Sequence, residues 1–331
     1  MVKEPLLKVR KLKTVFETRE GELVAVDGID FDLFPGEILG LIGESGSGKT
    51  VSGLSVLNLI PNPGRIAEGE ILFKGRSLPE LPEKEMRKIR GREIAYIFQD
   101  PTTSLNPTKT VGWQINHLLE MKLKNPKVDP KVARSPLPLK ERAQQLLADV
   151  GILSPEKVTN LYPHNLSGGM LQRVLIAMAL GCVPDLIIAD EPTTNLDVIV
   201  EAQILHLFLR LRDSVGSAIL FITHDIGVIA ETCDRVIVLY AGKILEKGGI
   251  SDVLNHPLHP YTVGLLQSSP KLEEEREDLY QIKGELPSLL DLPEGCRFHP
   301  RCDHSQNRCR HVPPDMVEVR EHHFVSCHLY P

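Results

Sequence analysis

The sequence predicts an α/β fold: a mainly parallel sheet covered by helices on both faces. Three observations carry this. Short apolar runs of strand length (38–42, 185–191, 218–224) are separated by stretches with helical apolar spacing. One run, Ile38-Leu39-Gly40-Leu41-Ile42, leads directly into Gly43-Glu44-Ser45-Gly46-Ser47-Gly48-Lys49-Thr50, and helical spacing follows over 51–60. The other two runs end in polar side chains, Asp190-Glu191 and His224, at the end of a buried strand where a ligand can be met.

The segment 43–50 matches the phosphate-loop pattern of Gly, four residues, Gly, Lys and Ser or Thr, in its strand–loop–helix context. Its glycines let successive backbone N–H groups turn inward around an anion, and the following helix adds the positive end of its dipole. Lys49 is expected to reach the β- and γ-phosphates and the Thr50 hydroxyl to hold Mg²⁺.

The chain has 331 residues, room for one large domain with an appendage or for two domains. A hydrophobic content of 42% with 25% charged residues is that of an ordinary globular protein, and the net charge of −6 argues against a general nucleic-acid binder. No apolar run reaches the roughly 18 residues that span a bilayer, and the N-terminus lacks the apolar stretch of a signal peptide. The expected location is the cytosol, or a membrane surface reached through a partner.

In chain order, loosely alternating residues 6–16 and cleanly alternating 24–33 read as two strands. Pro35-Gly36 turns the chain into the strand before the phosphate loop, and residues 68–73 and 94–98 read as two more strands. The region 99–180 changes character and reads as a mostly helical insertion. It holds a turn-rich loop (99–107), a helix (111–124), a proline-rich stretch (125–138) and helices at 139–150 and 169–180. A helix over 199–213 and two strands, 236–240 and 243–247, joined at Ala241-Gly242, complete the core. An acidic segment, 273–278, reads as the linker to a C-terminal extension rich in Pro, His and Cys. That extension has few apolar residues and is expected to need a metal to fold.

An acidic pair ending a buried strand suits metal-nucleotide chemistry. Asp190 would act on the Mg²⁺, and Glu191, one residue on, would polarise the attacking water as general base. His224 would face the γ-phosphate. Gln99 would touch both Mg²⁺ and the attacking water. Phe16, ending the first strand, could stack on a base or simply join the core.

These pieces together resemble the ATP-binding subunits of ABC transporters. The deciding stretch is Leu166-Ser167-Gly168-Gly169-Met170-Leu171-Gln172-Arg173, which looks like that family's signature. It stands in order with the phosphate loop, Gln99, Asp190-Glu191, Asn195-Leu196-Asp197 and His224, so the resemblance covers roughly residues 5–270. It implies a RecA-like parallel-sheet core of the P-loop NTPase type, an antiparallel β-subdomain and a helical signature subdomain. It also implies that two subunits sandwich MgATP, so that Ser167, Gly168 and Gly169 serve the ATP of the partner subunit and Asp197 lies at the seam. A narrower resemblance, to the oligopeptide/dipeptide branch, rests on Tyr162-Pro163-His164, on His259-Pro260-Tyr261-Thr262 and on Gly295-Cys296-Arg297-Phe298-His299-Pro300-Arg301-Cys302. The expected domains are thus 1–270, the ATPase, and 271–331, the cysteine-rich extension. Leu171 and Asn195 depart from the common family pattern, and neither removes a group needed for hydrolysis.

Of six cysteines, Cys182 and Cys233 sit in apolar or helical surroundings and read as buried fillers. Cys296, Cys302, Cys309 and Cys327 are separated by five, six and seventeen residues. Four thiolates can hold a [4Fe–4S] cluster or tetrahedral Zn²⁺, although no ligand pair has the two-to-four-residue spacing usual for structural zinc. The branch resemblance implies the iron–sulphur cluster.

The reading is therefore a transport ATPase that dimerises, hydrolyses MgATP by in-line attack of water and drives a membrane permease through its helical region. The resemblance implies a related but different ATPase subunit as dimer partner, two permease subunits, and indirectly an external solute-binding protein, with no nucleic acid. It places the chain at the cytoplasmic face of the membrane, peripheral through the permease. The cargo would be di- or oligopeptides, with oligosaccharides or nickel as alternatives. A soluble non-transport ATPase of the same type is the second alternative; such proteins carry coiled coils or paired ATPase domains, and this chain has one phosphate loop and no sustained heptads.

Overall fold

A computed structural model of the chain describes residues 4–123, 137–194, 196–268 and 281–331. The proline-rich stretch up to residue 136, Asn195 and the acidic segment 273–278 lie outside the described residues. The chain divides into two compact units, residues 1–81 with 220–331, and residues 82–219.

The first unit opens with an antiparallel sheet. Strands β1 (Leu7–Thr18), β2 (Gly21–Leu33), β4 (Gly64–Phe73) and β5 (Arg76–Ser77) lie in the order β2-β1-β4-β5. Alternation on β1 buries Leu7, Val9, Leu12 and Val15 completely, one face in and one face out. Strand β3 (Ile38–Ile42) differs, because all five of its residues are buried, as suits a strand covered on both faces. It pairs in parallel with β9 (Arg235–Tyr240), which forms an antiparallel hairpin with β10 (Lys243–Gly249). On its other side β3 meets β8 (Ala218–Ile222), where Thr223 N–H bonds the Leu41 carbonyl at 3.2 Å. The run expected as strand to residue 224 ends at Ile222. Thr223 Oγ1 accepts from the Asp225 N–H at 3.0 Å, and Asp225 caps the helix Ile226–Thr232.

The extension is joined to the core by sheet pairing and by buried rings. Its strands β11 (Val317–Arg320) and β12 (His323–Val325) extend this sheet in the order β11-β12-β10-β9-β3. The β12–β10 pairing is antiparallel, Glu246 opposite Val325 and Lys247 opposite Phe324. Phe298 is 3% exposed and sits against Tyr240, Tyr261 and His259, with ring centroids 5.3, 5.4 and 5.6 Å away. A segment too poor in apolar residues to fold alone thus buries its few against a core that residues 236–262 already provide.

Under that layer lies a buried polar nucleus. Glu246 and His323 are both fully buried, with His323 Nε2 2.7 Å from Glu246 Oε1. The same carboxylate accepts the N–H of Leu258 at 2.9 Å and of His259 at 2.8 Å. His259 Nδ1 in turn accepts the Tyr261 N–H at 3.0 Å. Burial pushes the His259 imidazole down from 6.5 to about 3, so it stays neutral in the fold. The unfolded chain takes up a proton here below about pH 6.5 while the folded chain does not until about pH 3. Stability therefore falls as pH drops through that window, by on the order of a few kcal/mol. His259→Asn keeps an acceptor for Tyr261 and removes the titration. Urea unfolding at pH 7 and pH 5 is expected to show a smaller loss for this variant than for the wild type; an equal loss would assign the acid sensitivity elsewhere.

The second unit pairs β6 (Ile94–Ile97) in parallel with β7 (Leu186–Asp190), and Ala218 at the start of β8 bonds the Asp185 carbonyl at 2.9 Å. Helices Glu83–Ile89, Val111–Leu123, Leu139–Asp149, Gly168–Gly181 and Val198–Val215 complete this unit, and Gly168–Gly181 packs on β6. The expected loop 99–107 contains a helical turn, Pro101–Ser104, capped by the Asp100 carboxylate.

Candidate nucleotide site

The phosphate loop is shaped by steric necessity. Gly48 has φ 104°, and a Cβ there would lie 2.4 Å from the Ala25 carbonyl oxygen. Only glycine lets the loop hug β2 and then start the helix Lys49–Val56. That helix begins two residues earlier than the apolar spacing suggested, because its first turn is built from the polar Lys49 and Thr50. Lys49 is 4% exposed and donates to the carbonyls of Gly43 at 2.7 Å and Glu44 at 3.0 Å, so its ammonium is drawn across the loop. The Ser47 hydroxyl is buried and makes no hydrogen bond, a donor aimed into the loop where an anion would satisfy it. Ser45, Gly46 and Thr50 are exposed. Phe16 is half-buried on β1 and its ring lies against Gly64. His224, past the end of β8, is exposed.

Two side chains from distant sequence grip this loop. Tyr261 Oη accepts the Glu44 N–H at 2.8 Å, and Arg301 Nη1 donates to Glu44 Oε2 at 2.8 Å. The residues read as functional did not include them; Tyr261 and Arg301 entered the reading only inside stretches that carried the branch resemblance.

In the second unit, β7 delivers its two carboxylates differently. Asp190 is 2% exposed and accepts the Tyr96 hydroxyl at 2.9 Å. Burial and then the Asp190 charge push the Tyr96 phenol well above its ordinary range, so it is a permanent donor. Glu191 has φ 46°, a left-handed conformation that costs a non-glycine residue about 1–2 kcal/mol. That turn throws its carboxylate outward, where Gln99 Nε2 donates to Oε2 at 2.9 Å and Thr194 Oγ1 at 3.0 Å. Gln99 and Glu191, expected to act separately on one water, are thus already hydrogen-bonded to each other. Tyr96 and Thr194 were not anticipated. Tyr96 sits mid-strand in an apolar run, and its hydroxyl bond to Asp190 spans 94 residues.

The signature residues open a helix. Ser167 caps Gly168–Gly181, its hydroxyl accepting from the Met170 N–H at 3.4 Å. Ser167 and Gly168 are exposed, and a Cβ on Gly168 would meet nothing within 4 Å, so the first turn of this helix faces open space. Asp197 caps the neighbouring helix Val198–Val215 through the Val200 N–H at 3.0 Å.

A family model described as ABC transporter matches residues 26–194, a span that contains the phosphate loop, Gln99, the signature and both carboxylates. The chain belongs to the ABC transporter family. A second model, described as the oligopeptide/dipeptide transporter C-terminal region, matches residues 245–309. Among full-length relatives, the oligopeptide transport ATP-binding protein OppD of Bacillus subtilis is 47% identical over 98% of this chain and 88% of its own. The dipeptide transport ATP-binding protein DppD of Haemophilus influenzae is 44% identical over 98% of this chain and 95% of its own. Of solved structures, the dimeric ATP-binding cassette MJ0796 in a post-hydrolysis state with ADP and Pi superposes with a TM-score of 0.64. It is 27% identical and covers 74% of this chain and 98% of its own.

For this ABC ATPase the cysteine-rich extension is the part that departs from the cassette. Cys296 and Cys309 are buried, and the Cys296 N–H bonds the Cys309 carbonyl at 2.8 Å. Cys302 and Cys327 are partly exposed, and the Gln306 N–H approaches Cys309 Sγ at 3.4 Å. Such a donor suits a thiolate ligand. As arranged, however, no group of three or more His, Cys, Asp or Glu side chains among the described residues is placed to hold a metal ion. The expected [4Fe–4S] ligand set of Cys296, Cys302, Cys309 and Cys327 is therefore not formed by these side chains as they stand. Cys182 and Cys233 are buried fillers, as read from the sequence, with thiols pushed up by burial to about 11 and about 12.

Proposed function

We propose that this ATPase powers the import of di- or oligopeptides through a membrane permease. One observation carries the reading: near-full-length identity to peptide-transport ATP-binding subunits that extends through the C-terminal region as well as the cassette. ATP is the substrate. Lys49, the buried Ser47 hydroxyl and the loop N–H groups bind its phosphates, with Glu44, Ser45 and Gly46 shaping the loop and Phe16 beside the base. Thr50, Gln99 and Asp190 serve the accompanying Mg²⁺. Glu191, held by Gln99 and Thr194, takes the proton of the attacking water, and His224 steadies the γ-phosphate. The helix end at Ser167, Gly168 and Gly169, with Asp197, serves the ATP of a second ATPase subunit, for which a related paralogue is the partner.

No described helix is long and apolar enough to cross a membrane; in this reading, attachment is peripheral, through the permease. A groove of about 300 Å³ in the second unit supports that contact; it is lined by Arg90, Trp113, His117, Met121, Lys122 and Met178. Trp113 is 46% exposed and stacks on His117 at 4.9 Å, an apolar platform for a permease helix. A cluster on the four cysteines remains part of this reading on the strength of the branch resemblance and of the match of residues 245–309 to the oligopeptide/dipeptide transporter C-terminal region. Iron and sulphide analysis of protein purified without oxygen tests it, and zinc in place of iron would overturn it.

Deleting the gene in its host is expected to abolish uptake of radiolabelled di- and oligopeptides, with restoration by the wild type and not by Lys49→Ala. Unchanged peptide uptake with lost oligosaccharide or nickel uptake would move the chain to another cargo while keeping the ATPase.

A further inference from the structure

Glu44 is an awkward residue for a phosphate loop, because a carboxylate raises the cost of bringing in a polyanion. In this chain that charge is matched from 257 residues away: Arg301 Nη1 donates to Glu44 Oε2 at 2.8 Å. The Arg301 side chain is only 7% exposed. Its Nε bonds the Lys283 carbonyl at 2.8 Å, its Nη1 reaches Tyr240 Oη at 3.4 Å, and its guanidinium stands 5.7 and 6.0 Å from the ring centroids of Tyr240 and Phe298. A cation fixed by that many contacts cannot wander, so it presents one geometry to Glu44. The Glu44 backbone is held independently by Tyr261 Oη. Leu286, three residues after Lys283, also comes near the loop, since a Cβ on Gly46 would lie 3.4 Å from its Cδ2.

We propose that Arg301 is a positioning residue for nucleotide binding: by neutralising and orienting Glu44, it gives the phosphate loop its ATP affinity only when the cysteine-rich segment is docked. This rests on the reading that the loop binds ATP. The segment between Cys296 and Cys302 is then a part of the nucleotide site, which it supports without touching the nucleotide.

The test is titration of the full chain with trinitrophenyl-ATP, alongside thermal unfolding. Arg301→Ala is expected to weaken binding about tenfold, the scale of a charge-assisted pair lost beside an anion. Glu44→Gln removes the charge along with the need for its partner, so its affinity is the reference for the double variant. The double variant R301A/E44Q should recover to the E44Q level, and the R301A deficit should shrink in about 0.5 M salt, where the repulsion is screened. A purely structural role for Arg301 predicts neither the rescue nor the salt effect. Where R301A does not fold, Arg301→Gln carries the same cycle, and Arg301→Lys should restore most of the affinity. R301A binding like wild type, or R301A/E44Q remaining as weak as R301A, overturns the proposal. Lys49→Ala separates the two levels: if it binds the analogue as tightly as wild type does, the reading of the loop itself fails.

Discussion

Glu191→Gln is expected to lower ATP turnover by about 10²–10⁴-fold, the span that a positioned general base supplies, while nucleotide binding stays near wild type. Glutamine keeps the length and the left-handed turn of Glu191 but has no basicity. The contacts already present sharpen the expectation. Gln99 and Thr194 both donate to Glu191 Oε2, which fixes the orientation of the group. Removing either donor loosens the base without deleting it. Gln99→Ala and Thr194→Ala are therefore expected to lose about tenfold in kcat with little change in KM for ATP. Phosphate release from the purified chain with its partner subunit measures all three. Full turnover in Glu191→Gln would show that another group takes the proton.

The second large effect concerns stability. Glu246→Ala is expected to cost about 3–5 kcal/mol in urea unfolding at neutral pH, because it strips the acceptor from several buried donors at once. The Leu258 and His259 N–H groups and the His323 ring all end on this one carboxylate, and Glu246 and His323 are fully buried. Glu246→Gln keeps the volume and one acceptor but points an amide N–H₂ at donors, so a loss of about 1–3 kcal/mol is expected. A loss below about 1 kcal/mol for the alanine variant would mean that the nucleus relaxes and finds other partners.

These two sites show what a sequence reveals and what it hides. The strands 38–42, 186–190 and 218–222 are legible because burial on both faces writes an unbroken apolar run. The phosphate loop and the signature are legible because backbone geometry around an anion tolerates few residues. Glu246 is illegible for the opposite reason: it sits in strand β10 among lysines and glycines and looks like a solvated charge. Its partners lie 12, 13 and 77 residues away, and only tertiary structure brings them in. Tyr96 and Arg301 fail for the same cause. The short helices Glu83–Ile89, Pro155–Val158 and Ile226–Thr232 offer too few turns for a period to register. β11 and β12 pass unseen because sheet pairing with a ready core, rather than their own pattern, makes them strands.

The separation of 257 positions from Glu44 to Arg301 also sets an order of events in the cell. A ribosome adding about 5–20 residues per second needs roughly 13–50 s to travel from one to the other. Throughout that interval the emerging chain carries a phosphate loop whose acidic residue has no guanidinium beside it. The grip on Glu44 forms only once Arg301 has emerged as well and packed beside Tyr240 and Phe298, so by our proposal the loop's full affinity for ATP arrives at least that long after the loop itself is made.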